Sequence, residues 1–303
     1  MASEQARSSE LSPAPGRLSS LVQKSWSFAL EAPKLPTLIL LFVVLVAVFA
    51  PLLAQHDPEL SVKPIKIFSP PIYSSGEWET PLGTDFQGRD ILSRLIYGAR
   101  TSLIIGLLGT VFAGAVGITL GIISGYIGGI WDQVIMRVVD AKLALPSLVF
   151  GIFLAATFSP GLWTIILILV IVFWTRYARV IRGEVLSLRE RDFVKLAEVN
   201  GVSPIRIMFK HILPNVTNTA MVLFSLTVGV AVILEASLSF LGVGVPPPTP
   251  TWGNMLADAR PTLISQRWTL TVAPGLCIML LVLAANLLGD WLRVRMDPQL
   301  RNR

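Results

Sequence analysis

The sequence has little charge, a single cysteine and two histidines, and each shortage excludes a class of protein. Only 15% of its 303 residues are charged and 53% are hydrophobic, whereas a soluble domain carries about 25% charged residues. Cys277 alone cannot build a disulfide framework or a cysteine metal site. His56 and His211 are too few and too far apart for a zinc cluster. An integral membrane protein is the class that remains.

The sequence also lacks a phosphate-binding loop, because no glycine in the chain is followed by lysine. No constellation of nucleophile, base and oxyanion donors points to a membrane enzyme. We therefore do not expect the chain to hydrolyse ATP, and we expect no cofactor or metal here. The net charge of +6 does not indicate nucleic acid, because the basic residues flank apolar segments, as membrane topology requires.

Six stretches are apolar enough to be predicted as membrane-spanning helices, each of which needs about 20 such residues. They cover 36–53, 102–123, 134–158, 162–174, 214–243 and 269–288. The fourth is short, but a basic-faced turn with Arg176, Arg179 and Arg182 can extend it, because arginine stems snorkel. The predicted fold class is an all-α integral membrane protein with six transmembrane helices.

The distribution of lysine and arginine predicts the orientation of these helices. One side of the predicted membrane carries 17 such residues and the other carries seven, with Lys142 inside the third span. Positive residues are retained in the cytoplasm, so both termini are expected there. The predicted regions are a cytoplasmic tail 1–35, a first helix 36–54, an external loop 55–100, a five-helix domain 101–290 and a cytoplasmic tail 291–303. The polar start predicts a disordered tail and no cleavable signal peptide.

One cytoplasmic segment, 191–214, interrupts the apolar chain with the sequence RDFVKLAEVNGVSPIRIMFKHILP. Asp192 is predicted as the N-cap of a short helix that Gly201 ends in the left-handed conformation. Ser203 and Pro204 then start a second short helix in a new direction, and Pro214 starts the fifth membrane helix. An apolar side on the first helix predicts a protein partner. It is formed by Phe193, Val194, Leu196 and Ala197.

The spacing of Ala197, Gly201 and the ILP sequence ending at Pro214 resembles the EAA loop of binding-protein-dependent ABC importer permeases. In that family the loop docks into a groove on a cytoplasmic ATPase. Lys195 and Leu196 stand where the family has glutamate and alanine. Glu198 is the residue that can supply the acidic contact instead.

Four other stretches are similar to the C-type permease of the dipeptide, oligopeptide and nickel branch: PLGTDFQGRDILSRLIYGARTSLIIG, MRVVDAKLALPSLVF, SLSFLGVGVPPPTPTWGNML and MDPQLR. The resemblance implies a type I ABC importer permease fold in the bacterial inner membrane. It implies a second permease, two cytoplasmic ATPase subunits and an extracytoplasmic substrate-binding protein as partners. The solute stays open among dipeptides, oligopeptides, nickel chelates and opine-like compounds.

The alternative is a secondary transporter or channel without an ATPase partner. Such a protein would be expected to show inverted repeats and broken helices around a midplane site. The sequence shows no sign of either feature.

Small residues recur every fourth position along the second predicted helix, at Gly109, Ala113, Gly117, Gly121 and Gly125. Helices approach closely on such faces within lipid. The face predicts close packing within this chain, or otherwise a seam with another subunit or with the pore.

Two acidic residues within the spans, Asp140 and Glu235, are candidates for a gate or for the solute pathway, because charges are costly there. The structural alternative pairs Asp140 with a nearby arginine such as Arg137. For Glu235 it is an acid at a helix end, exposed to outside water.

The two outer segments are rich in proline, glycine and acidic residues. They predict either a rigid external cap or a landing surface for the binding protein. In the second case the exposed contacts would be Asp85, Arg89, Asp90, Trp252 and Asn254.

Overall fold

The computed structural model describes residues 32–62, 65–74, 76–261 and 268–296, and the regular structure of this part of the chain is almost wholly helical. A single turn of 3₁₀-helix lies at Ile72–Ser74 and a π-helical turn at Met208–Ile212. The α-helices are α1 (Lys34–Val48), α2 (Ala50–Leu53), α3 (Ile91–Ile127), α4 (Gly129–Leu143), α5 (Ser147–Thr157), α6 (Leu162–Arg189), α7 (Asp192–Val199), α8 (Pro204–Ile207), α9 (Leu213–Phe240), α10 (Trp252–Ala259) and α11 (Thr269–Met296).

Four helices in the described residues are long and apolar enough to cross a membrane. They are α3, α6, the continuous helix from α8 to α9, and α11. The fourth predicted span, 162–174, continues to Arg189 as α6, so its basic turn is helical. The first, 36–53, forms only the 15-residue α1 followed by the short α2. The structure thus supports four spans, or five if a bent pair counts as one.

The third predicted span, 134–158, is wrong as a single helix. Its residues form α4 and α5, which meet at an angle of 97°. The break falls immediately before α5, where Pro146 is the N-cap. The residue before a proline is driven out of the α conformation, and a proline ring cannot continue a helix. The expectation that the chain has no broken helix is therefore also wrong here.

The central pair of helices is α3 and α6. At the start of α3, the Asp90 carboxylate accepts hydrogen bonds from the backbone N–H groups of Leu92 and Ser93, which satisfies donors that have no partner within a helix. The two helices run parallel, since their contacts advance from Gly109 on Leu169 to Gly125 on Val185.

Helix α9 runs opposite to this pair, because Val216 at its start packs with Ile122 near the end of α3, whereas its later residue Val232 lies beside the earlier Gly106. Buried side chains from α3, α6 and α9 form the largest apolar cluster. A second cluster joins α1, α3, α10 and α11, and a third holds α7 and α8 against the other end of α3 and α6.

Candidate functional site

The segment 191–214, here called the EAA-like loop, is fixed to the membrane helices by one buried face. Val194 and Ala197 of α7 pack in an apolar cluster with Ile207 and Ile212. The same cluster includes side chains at the ends of three long helices: Ile122 and Tyr126 of α3, Ile181, Val185 and Leu188 of α6, and Val216 of α9. The loop is therefore in direct contact with all three helices.

The turn after α7 is closed by two backbone hydrogen bonds. The N–H of Val202 donates to the carbonyl of Ala197 at 3.0 Å, and that of Gly201 to the carbonyl of Glu198 at 2.9 Å. These are the two bonds of the Schellman motif, which requires a left-handed residue after the helix. Gly201 has φ 73°, so the predicted left-handed glycine is confirmed.

The other boundaries of the loop differ in part from the sequence prediction. The N-cap of α7 is Arg191, and Asp192 is the first helical residue instead. Ser203 is the N-cap of α8 and Pro204 follows it, as predicted, but the Ser203 hydroxyl makes no capping hydrogen bond.

Pro214 does not start a separate helix, because α8, the π-helical turn and α9 form one continuous helix. Proline has no N–H, and its ring clashes with the carbonyl four residues earlier in an α-helix. The widened turn at Met208–Ile212 lies immediately before Pro214 and relieves this conflict. The second short helix of the loop is therefore the first turn of the following membrane helix.

The opposite face of the loop exposes an apolar surface. Leu196 and Val199 of α7, Ile205 of α8 and Phe209 of the π-helical turn are 60 to 85% exposed. We call these four side chains the loop patch. They surround a turn at the end of the long helices, and exposed apolar surface of this kind marks an interaction site.

Two charged side chains of α7 have partners within the chain. The Tyr126 hydroxyl of α3 donates to Glu198 Oε1 at 3.0 Å, which ties α7 to the end of α3. Lys195 Nζ lies 3.0 Å from Glu190 Oε2, and the hydrogen bond from Lys195 lowers the pKa of the exposed Glu190 carboxyl. Nothing in the sequence around Tyr126 indicated its contact with Glu198.

The small-residue face of α3 packs against α6 of the same chain. A Cβ added at Gly117 would lie 2.3 Å from the Trp174 carbonyl oxygen, and one at Gly121 would lie 2.8 Å from that of Ala178. Gly109 and Gly125 meet Leu169 and Val185 at 2.8 Å in the same way, and Ala113 is fully buried. This face is thus filled by α6.

The two acidic pathway candidates have different surroundings. Asp140 forms an ion pair with Arg179 of α6, not with Arg137. Glu235 is fully buried, which contradicts the expectation that outside water reaches it. Its carboxylate accepts hydrogen bonds from Ser102 at 3.3 Å and Ser239 at 2.8 Å. The first contact joins α9 to α3, and the second lies within α9.

The five residues proposed as exposed contacts for a binding protein are all at most 8% exposed, so that interpretation is wrong for them. Arg89 Nε donates to Asp85 Oδ2 at 2.7 Å, and Arg89 Nη2 lies 3.1 Å from Asp258 Oδ2. Arg94 Nη2 approaches the same Asp258 oxygen at 3.2 Å. Burial raises the pKa of the Asp258 carboxyl, while Arg94 and Arg89 act in the opposite direction.

The remaining three hold the cap together. Asp90 caps α3, and Asn254 forms a reciprocal capping box with Thr251 at the start of α10. The indole Nε1 of Trp252 donates to the Leu95 carbonyl at 3.0 Å. These contacts favour the rigid-cap interpretation of the two outer segments.

Long apolar helices and a loop packed across their ends define the chain as a helical integral membrane protein. The chain belongs to the family of binding-protein-dependent transport system inner membrane components, whose sequence profile matches residues 117–302. It is therefore a multi-pass protein of the bacterial inner membrane that acts as an ABC transport permease.

Known relatives agree with this assignment. The chain is 41% identical over 265 residues to the di/tripeptide transport system permease protein of Pseudomonas aeruginosa, covering 88% of this chain and 87% of the relative. It is 38% identical over 264 residues to the oligopeptide transport system permease protein of Bacillus subtilis, covering 87% and 84%. A chain of the inward-facing methionine ABC transporter MetNI shares the fold, with a TM-score of 0.56, 17% identity and coverage of 68% of this chain and 98% of that chain.

Proposed function

We propose that the chain is one of two different permeases in an ATP-driven importer for peptides or a similar small solute. The names of its relatives support a peptide, since they transport di/tripeptides and oligopeptides. An extracytoplasmic binding protein would deliver the solute, and two cytoplasmic ATPases would hydrolyse ATP. The proposal includes six crossings, and the 17 to seven distribution of lysine and arginine supports the orientation with both termini in the cytoplasm. We expect the chain itself to bind no cofactor, metal or nucleic acid.

The observation that supports this proposal best is the two-sided construction of the EAA-like loop. Its buried side packs on α3, α6 and α9, and its exposed side is the loop patch. An ATPase bound to the patch would move with the loop when ATP closes the two ATPases. The helices would then open the path toward the binding protein, and hydrolysis would return it to face the cytoplasm.

A secondary transporter or channel without an ATPase is the second candidate, and the bend between α4 and α5 favours it. Broken helices in secondary transporters place helix ends at a central site. Uptake by reconstituted vesicles separates the two candidates. We expect no uptake without the ATPase subunits and ATP, and uptake driven by an ion gradient alone would support the second candidate.

The loop patch itself is tested by Leu196→Asp, with Leu196→Met as the control. A carboxylate at this position would be buried against the ATPase without a partner, which is costly. The Leu196→Asp permease should reach the membrane in normal amounts but lose copurifying ATPase and transport, whereas Leu196→Met should retain both. Normal ATPase binding by Leu196→Asp would exclude the patch as the docking surface.

Cysteine cross-linking gives an independent test in a Cys277→Ser background, which is free of native cysteine. Val199→Cys lies on the exposed patch and should cross-link to the ATPase. Ala197→Cys lies two residues earlier, about half a turn away on the buried side, and should not. Cross-linking of both positions, or of neither, would contradict the proposed orientation of α7.

A further inference from the structure

A cavity of about 390 Å³ lies beside the bend between α4 and α5, within the size range of sites for small ligands. It is bounded by the end of α4, the start of α5, the middle of α6 and one face of α9. The lining residues fall into two groups. The apolar ones include Val172, Phe173, Ile233 and Leu234, and the polar ones are Lys142, Ser147, Thr175, Arg176 and Ser237.

The charge of this lining is entirely positive. Lys142 is only 8% exposed, and Arg176 lies roughly 21 Å along α6 from Leu162 at 1.5 Å per residue. In the described part of the chain, no carboxylate forms an ion pair with either residue. The two acidic residues of α4, Asp132 and Asp140, are bound by Arg182 and Arg179 instead. Charges within membrane helices are costly and mark functional sites.

Two further features of the cavity favour an anion. Thr175 is fully buried, and its hydroxyl has no hydrogen-bond partner among the described residues. The 11-residue α5 begins at the cavity with Ser147 and Leu148. The first N–H groups of a helix have no partner within it and form the positive end of its dipole. A hydroxyl, two cations and a helix start therefore surround one space.

We propose that this cavity is a transit site for the carboxylate of the imported solute, with Lys142 and Arg176 as its counter-ions. The apolar walls from α6 and α9 would accept the uncharged part of the solute. A peptide with a free terminal carboxylate matches both halves of the lining. The identity of the solute as a peptide rests on the proposed function, but the presence of an anion site does not.

The charge of the site is tested without any solute by Ser237→Cys in the Cys277→Ser background, within the complete importer. The introduced thiol is exposed to a negatively charged sulfonate or a positively charged trimethylammonium methanethiosulfonate, and labelling of this chain is followed by mass spectrometry. We expect the sulfonate reagent to react about tenfold faster, relative to a free thiol, because a positive cavity concentrates anions. Adding Lys142→Gln and Arg176→Gln should abolish this preference.

The transit role is tested by uptake of radiolabelled dialanine into vesicles that contain the complete importer. The double variant Lys142→Gln and Arg176→Gln should lower uptake by about 30-fold or more, as loss of a desolvated charge partner does elsewhere. Arg176→Lys keeps the charge and should restore most of the transport. Arg137→Gln is the matched control, because it removes a cation of α4 that does not line the cavity.

The outcomes separate the two levels of the proposal. Uptake of dialanine by the wild-type importer without ATPases, or no uptake at all, would contradict the proposed function or its peptide substrate. If the double variant took up dialanine at a rate within twofold of the wild-type rate, the transit site would be overturned. The transit site would also be overturned if an anionic lipid copurified with the wild-type complex and was lost in the double variant. The lipid headgroup would then be the counter-ion of Lys142 and Arg176.

Discussion

At the scale of single residues, Gly201 determines the direction in which the EAA-like loop turns. No atom would lie within 4 Å of a Cβ added there, so space does not restrict the residue. The restriction is the backbone, whose φ of 73° is unfavourable for a β-branched residue. Gly201→Val should destabilise the turn by about 1–2 kcal/mol or more, and ATPase copurification and transport should fall.

The matched control is Gly201→Asn, because asparagine tolerates the left-handed conformation better than other side chains. It should retain most of the coupling. If Gly201→Val also transported normally, the segment would be a solvated connector rather than a rigid one.

Trp252 separates the two interpretations of the outer segments. Trp252→Phe removes the hydrogen bond to the Leu95 carbonyl and should destabilise the complex by about 1 kcal/mol, seen as a lower melting temperature. Because Trp252 is buried, the affinity for the binding protein should not change. A large loss of affinity with unchanged stability would restore the landing-surface interpretation for this residue.

The sequence predicts the structural role of a residue well where that role depends on residues nearby in the chain. Gly201 and the Ser203–Pro204 pair were predicted correctly because caps and turns depend on neighbours within a few positions, although the N-cap of α7 was predicted one residue too late, at Asp192 instead of Arg191. The burial of Glu235 and Arg89 was missed, because their partners Ser102 and Asp258 lie 133 and 169 positions away. An acid at a helix end cannot be distinguished from a buried one until the neighbouring helices are placed.

At the scale of helices, the approach of α3 to α6 depends on glycine at some positions more than at others. Gly117→Val would drive its side chain into the Trp174 carbonyl oxygen and the Tyr177 Cβ, at 2.3 and 2.5 Å from the new Cβ. Backbone cannot move aside without separating the helices. The variant should therefore express poorly and show a strongly lowered melting temperature.

Gly114→Ala is the control on the same helix, since its new Cβ would meet only the Tyr177 ring at 3.5 Å, an ordinary contact. Its expression and melting temperature should stay near those of the wild type. Equal tolerance of both variants would mean that α3 and α6 are not in close contact in the membrane.

Helix prediction succeeded where one apolar pattern was uninterrupted and failed at two prolines. The helix breaks at Pro146 but continues through Pro214, although both prolines stand at the edge of an apolar run. Pro214 is accommodated by the π-helical turn before it, whereas the chain at Pro146 bends by 97°. The sequence pattern around the two prolines did not distinguish these outcomes.

At the scale of the whole molecule, orientation in the membrane is the prediction to test. Alkaline phosphatase fused after Glu77 or after Ser265 should be active, because the few positive residues around these positions predict an external location. A fusion after Glu190, at the end of α6, should be inactive. Activity after Glu190 would place the EAA-like loop outside the cytoplasm and would exclude its docking to an ATPase.

The π-helical turn at Met208–Ile212 sets how the helix before it is rotated relative to the helix after it, and a change of one residue would alter that rotation. A π-helical turn contains an extra residue relative to an α-helical turn, so deleting one residue there would restore regular α winding. The short α8 before the turn would then rotate by about 100° around the axis of α9. Ile205 of α8 would change its direction relative to Leu196 and Val199, which the buried face of α7 holds in place, so a one-residue change in this turn is enough to reshape the surface that meets an ATPase groove.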